Sequence, residues 1–209
     1  MNSSDMASPE LGAVEVHGIN RASFILRGAV AAGAVYGATA VAPYVSNALA
    51  QSGGSDLDIL NFALTLEYLE TDFYNVKGTS VGLSGEAKGL AQSFGDEEAD
   101  HVAALTKAIT AAGGKPVAKP KFVFPVTNQA SFLKLAYVLE NTGVGAYNGA
   151  GPSITNKEYL AAAGSIVQVE ARHAAAIALL TGDPITPNGA FDKPLSESQV
   201  LAKAGPLIE

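Results

Sequence analysis

Apolar residues recur at three- and four-residue spacing through four long segments of this chain, and the breaks between them are polar or rich in glycine and proline. That period lays the apolar side chains along one face of an α-helix. The first segment, SDLDILNFALTLEYLETDFYNVKG, starts at Ser55, a residue suited to an N-cap, and stops at Gly78. The second runs from Ser84 to the Gly113-Gly114 pair, the third from Asn128 to near Gly151, and the fourth from Thr155 to Gly182, before Pro184. Each exceeds twenty residues, which predicts helices of about 30 Å. Only the brief KFVFPV suggests the two-residue period of a strand. The expected fold class is all-α, a four-helix bundle.

The connections choose among bundles. The first and third joins are about five or six residues long, which makes each flanking pair an antiparallel hairpin. The middle join, GGKPVAKPKFVFPVT, has three prolines in some fifteen residues. At about 3 Å per residue, proline-rich chain of that length can run the whole height of the bundle. Val117, Phe122, Val123, Phe124 and Val126 suit it to lie against the helices. The domain reading is residues 51–182 as two hairpins joined by one long crossover between helices 2 and 3, followed by an arm over 183–209. The arm ends in a short helix with Ser196 as its cap and Gln199 completing a capping box, suited to packing or an interface.

Acidic residues interrupt the apolar faces. Glu67 shares a face with Leu60, Ala63 and Tyr74, and Glu140 shares one with Leu133, Ala136, Val144 and Tyr147. In GDEEADHVAAL, Glu98 and His101 project one turn apart from a face made by Ala91, Phe94, Leu105 and Ala108. VEARHAAA repeats the spacing with Glu170 and His173, so two of the three histidines have Glu at minus three. Each helix thus carries a Glu near its midpoint on the inward stripe, and helices of similar length would bring all of them to one level. Burying a single ionised carboxylate costs several kcal/mol, and mutual repulsion adds to it. Two divalent cations would carry the charge of four Glu, with the two imidazoles completing the coordination. Glu70, one turn beyond Glu67, is an alternative ligand or an extra carboxylate.

Composition narrows the chemistry. The chain has no cysteine, so thiolate metal sites and disulfides are excluded and any metal is held by oxygen and nitrogen. Such ligands accept iron, manganese and zinc. A net charge of −7 without a Lys/Arg cluster argues against a nucleic-acid partner. No haem or flavin motif is present. Residues 1–50 read as an export leader: the weakly basic NRASFILRG, an uncharged Gly- and Ala-rich run from Gly28, and SNALAQ, in which Ala48 and Ala50 give the small-x-small pattern of signal-peptidase cleavage. The leader is similar to a twin-arginine signal, though Arg21 stands alone. Left uncleaved, the run is long enough for a membrane anchor.

The order Glu67, Glu98-x-x-His101, Glu140, Glu170-x-x-His173 resembles that of the ferritin-like superfamily of di-metal carboxylate proteins, over about residues 55 to 181. Ferritins, bacterioferritins and rubrerythrins also place a tyrosine seven residues after the first-helix Glu, as Tyr74 follows Glu67 here; Tyr147 follows Glu140 by the same interval. NFALTLEYLETDFY together with a leader looks most like the exported ferritin-like proteins grouped with plant desiccation-related proteins. The resemblance implies two metal ions, iron or alternatively manganese, with Glu98 and His101 holding one side and Glu170 and His173 the other. Glu67 and Glu140 would bridge or terminate the metals, while Tyr74 or Tyr147 would hydrogen-bond the oxidant or supply an electron. Related di-iron motifs often carry an Asp just before the ligating Glu to hold the other motif's imidazole; here Glu97 is placed to do this for His173, whereas Val169 cannot do it for His101. The implied activity is oxidation with dioxygen or hydrogen peroxide, Fe(II) being a candidate substrate. A manganese catalase-like enzyme and a non-catalytic, metal-binding stress-protection protein are the alternatives, and a homo-oligomer is compatible with each.

Overall fold

In a computed structural model, described over residues 55–209, the bundle is built from four long helices. The leader read in residues 1–50 lies outside the described residues. Helix α1, Asp56–Asp72, begins in a capping box: Ser55 accepts from the Asp58 amide while the Asp58 carboxylate accepts from Ser55. Two acidic residues in that first turn, Asp56 and Asp58, complement the positive end of the helix dipole. The helix continues through a π-helical turn, Phe73–Lys77, and a short helical turn, Gly78–Ser80. Helix α2 spans Gly85–Ala111, α3 Gln129–Ala150 and α4 Lys157–Thr181. Helix α3 starts in an Asn128–Ser131 capping box, and α4 stops at Gly182, whose φ of 77° is one that a side chain would strain.

Two of the expected helix starts are built differently. Ser84 occupies the N-cap position of α2 but makes no capping hydrogen bond; its amide and hydroxyl instead donate to Gln129, tying the start of α2 to the start of α3. Asn156, not Thr155, caps α4 by accepting from the amides of Glu158 and Tyr159. Thr155 is drawn off by Asp56, which accepts from its amide and hydroxyl and from the Asn156 amide. The start of α1 is thereby pinned to the α3–α4 turn.

Helix α1 packs along α2 and α3 along α4, the expected hairpins. The crossover lies against them. Val126 is buried, and Phe122 and Phe124 pack on the core, while Val123 is 45% exposed and does not join it. Among the described residues KFVFPV forms no strand, only a single antiparallel bridge between Phe122 and Ile208, flanked by bonds from Val123 N to Leu207 O and from Glu209 N to Lys121 O. The last residues are therefore paired with the crossover. The arm's helix, α5 (Glu197–Ala204), has the Ser196–Gln199 box and buries Val200 and Ala204 in the core shared by α1 and α3. The arm reaches α3 by close backbone approach. Leu195 N donates to Gly145 O at 2.9 Å, and a Cβ on Gly149 would fall 2.0 Å from the Leu195 carbonyl oxygen.

The apolar interior forms two clusters, and the acidic residues fall where one yields to the other. Along α1 the sequence is Leu60 and Leu64, then Glu67, then Leu69 and Phe73; along α2, Ala91 and Phe94, then Glu98, then Leu105 and Ile109. Helices α3 and α4 repeat this at Glu140 and Glu170. No described helix is long and apolar enough to cross a membrane.

Candidate metal centre

Five carboxylates and one imidazole are buried at that junction. Glu67, Glu98, Glu140 and Glu170 have no exposure, His173 is 2% exposed and Glu70 3%; His101 lies close by at 12%. The ligand atoms gather in two groups, Glu67, Glu98, His101 and Glu170, and Glu98, Glu140, Glu170 and His173, each set lying within 4.8 Å of one another. Nitrogen and oxygen ligands stand about 2 Å from a metal, so each set has the dimensions of one coordination sphere.

Hydrogen bonding tests whether a cation fits. His173 Nδ1 is 2.9 Å from Glu98 Oε1 and 3.3 Å from Glu140 Oε2, yet none of these atoms makes a hydrogen bond of acceptable geometry. Both oxygens of Glu170 are likewise buried without a partner. Buried polar atoms this crowded are normally paired; atoms that converge without pairing are aimed at a common point. His101 Nδ1 faces Glu98 at 2.8 Å, Glu67 at 3.2 Å and Glu170 at 3.3 Å. The donor set fits two hard or borderline cations.

The grouping adds detail that the sequence left open. Glu98 and Glu170 each belong to both sets, whereas Glu67 goes with His101 alone and Glu140 with His173 alone. The Glu of each Glu-x-x-His pair is thus placed between the two positions, and the other two carboxylates lie at the ends. This pairing depends on how the hairpins face each other, which spacing within a helix does not encode.

The tyrosines each reach a carboxylate of the centre. Tyr74 donates to Glu140 and Tyr147 donates to Glu67, each from one hairpin to the other. Burial, followed by the charge of the accepting carboxylate, pushes both hydroxyls well above their ordinary pKa. They remain donors, and what they hold is a carboxylate. Glu97 meets its expected role: its carboxylate lies 2.5 Å from His173 Nε2, fixing the ring so that Nδ1 faces inward. Phe94 stacks on the same imidazole at 3.9 Å. Replacing Glu97 with Ala is expected to weaken the metal beside His173 by about 10- to 100-fold and to leave the His101 side less affected, as a two-site metal titration would show.

Glu70 lies outside both ligand sets but beside them. Burial, then repulsion from Glu170, Glu98, Glu140 and Glu67, raises its pKa well above the carboxylate range. Gly143 makes the room: a Cβ there would stand 2.9 Å from Glu170 Oε2 and 3.6 Å from Glu70 Oε1. Sequence reading passed over Gly143, although its place is readable in retrospect. It follows Glu140 by three, as Glu70 follows Glu67.

Without metal the centre is held by protons. Burial lifts Glu67 to about 8, against partial compensation from His101. Burial would lower the imidazoles, but the carboxylates crowded against them outweigh it and raise His101 to about 12 and His173 to about 11. Glu98 is the exception: burial would raise it, yet the two imidazoles close beside it, His101 at 2.8 Å and His173 at 2.9 Å, hold it near 2. Metal binding must displace these protons, so uptake is expected to release acid, measurable by titration calorimetry in buffers of different ionisation enthalpy. The sign for stability follows. Glu67 binds its proton more tightly folded than unfolded, so its contribution is complete below about 4.5 and lost as pH rises through 8. The imidazoles act in the same direction above 6.5. Metal-free protein should melt at progressively lower temperature from about pH 5 to 8, and metal-loaded protein should not.

A helical bundle whose two hairpins jointly enclose a carboxylate–histidine pair of metal positions defines the class: a four-helix protein with a candidate di-metal site. A family model described as the ferritin-like domain matches residues 55–183, and the chain belongs to that family. No curated protein gives a significant match to it.

Proposed function

We propose that this is an exported di-metal oxidoreductase that holds two iron ions and reacts with dioxygen or hydrogen peroxide, with ferrous oxidation or peroxide removal as its activity. One observation carries the reading: two complete ligand sets share Glu98 and Glu170. When bound, a pair of redox metals supplies two electrons to one oxidant molecule. The chain's own residues supply the rest. Glu98 and Glu170 would each contribute to both metal positions, and His101 and His173 would each complete one of them. Tyr74 and Tyr147 restrain the terminal carboxylates through hydroxyl donors that keep their protons. Apolar clusters on both sides keep bulk water from the carboxylates. Export is supported by the leader pattern of residues 1–50, and the acidic charge supports the absence of nucleic acid among its partners.

Elemental analysis of purified full-length protein, followed by stopped-flow mixing of the anaerobic, reduced, metal-loaded form with air-saturated buffer or peroxide, tests this. Two irons per chain and a fast absorbance change are expected. Manganese with oxygen evolution from peroxide would move the protein to the catalase-like reading. Two firmly held metals without turnover would leave a metal-binding, stress-protective role.

A further inference from the structure

The two sides of the centre are closed differently. On the Tyr74 side the space is filled by rings: Phe94 lies on His173, and Phe73 stacks on Phe132 at 4.3 Å with Tyr74 edge-on to both. On the Tyr147 side there is a cavity of about 50 Å³, lined almost wholly by aliphatic and aromatic carbon.

Its position is set by the four helices together. Ala63 precedes Glu67 by one turn, Leu105 follows His101 by one turn, and Ile166 precedes Glu170 by one turn; all three line the cavity. A helical turn of four residues advances about 6 Å, so the cavity abuts the ligand level from one end. Tyr147 forms the wall between them, since its ring lines the cavity while its hydroxyl donates to Glu67. Ala104 and Ala162, also in the lining, are solvent-exposed, which opens the cavity to the surface between α2 and α4.

Size and polarity select the occupant. An apolar cavity of about 150 Å³ admits benzene or xenon and stays dry; this one is a third of that, which suits a diatomic gas and not an aromatic ring. An apolar diatomic enters at no desolvation cost, whereas hydrogen peroxide would have to shed hydrogen bonds to water that the walls do not replace.

We infer that this cavity is the site through which dioxygen reaches the metal centre, held against Tyr147 before it reacts. The inference rests on the oxidoreductase reading and narrows its oxidant: dioxygen takes this route and peroxide does not.

Full-length protein is crystallised and pressurised with xenon, an inert apolar probe; density is expected in the cavity beside Tyr147. Two fillings follow, Ala63→Leu inside and Ala162→Phe at the exposed rim, where a large side chain is tolerated by the fold. Each is expected to exclude xenon and retain the wild-type metal content. Each should slow reaction of the reduced protein with dioxygen about tenfold, the effect of ~1.4 kcal/mol of added barrier, while the reaction with peroxide is unchanged. If Ala63→Leu fails to fold, Ala162→Phe and the xenon density decide alone. Absence of xenon from the wild type, or an undiminished dioxygen rate in a filled variant that excludes xenon, overturns the inference and leaves the oxidoreductase reading standing. Protein that binds xenon but whose reduced, metal-loaded form reacts with peroxide and not with dioxygen overturns the inference alone, and inertness to both oxidants overturns both.

Discussion

Glu170→Ala is expected to strip both metals from the protein, not one. Glu170 offers an oxygen to each ligand set, and both its oxygens are buried with no hydrogen-bond partner. Removing it would take a ligand from both candidate positions at once and one negative charge from between the two ligand sets. Loss of a residue that merely orients a ligand costs about 10- to 100-fold in affinity, so loss of a shared ligand should exceed that at both positions. Elemental analysis after desalting should find almost no metal. Glu67→Ala removes an end ligand and should leave the position beside His173 occupied. Glu170→Gln separates binding from folding: the amide keeps the shape and removes a charge that burial and the neighbouring Glu98 disfavour. Its metal-free form should melt no lower than the wild type while its metal affinity still collapses. Retention of two metals by Glu170→Ala would refute the shared-ligand geometry.

The second large effect is on stability. Phe132 is fully buried, stacks on Phe73 and meets Tyr74 edge-on. Phe132→Ala should cost about 3–5 kcal/mol, because the rings of Phe73 and Tyr74 that flank the void are held in the π-helical turn and cannot both collapse into it. Denaturant unfolding of the metal-free form would measure this. Saturating metal should recover part of the loss, since a ligand that binds only the folded state adds stability by mass action. An effect below about 1 kcal/mol would mean that the aromatic side of the bundle is loosely packed.

Much of this architecture could be read from local pattern. Ser55 and the Ser196–Gln199 box cap their helices as expected, and Asn128 caps the helix it was expected to start, because capping involves residues two or three apart, and sequence displays that directly. All six expected ligands converge because each lies on the inward stripe of a long helix, near the midpoint. What sequence did not disclose depends on contacts across the molecule. The shared position of Glu98 and Glu170, the opening at Gly143 and the tyrosine–carboxylate bonds all require knowing how one hairpin faces the other. Thr155 yielded the α4 cap to Asn156 because Asp56, far away in sequence, captured it. The π-helical turn at Phe73–Lys77 has no local signature that the three-four pattern could register.

The reciprocal tyrosine bonds have a bearing on what the crossover is for. Tyr74 reaches from the first hairpin to Glu140, Tyr147 reaches back to Glu67, and each ligand set draws on both hairpins. Neither half therefore owns a finished binding position. The covalent link between them supplies proximity during assembly, and once the halves have met their grip no longer depends on it. A chain nicked within residues 115–121 would stay a single particle with both ligand sets intact, whereas either fragment by itself would be an amphipathic hairpin with exposed carboxylates and only part of each set.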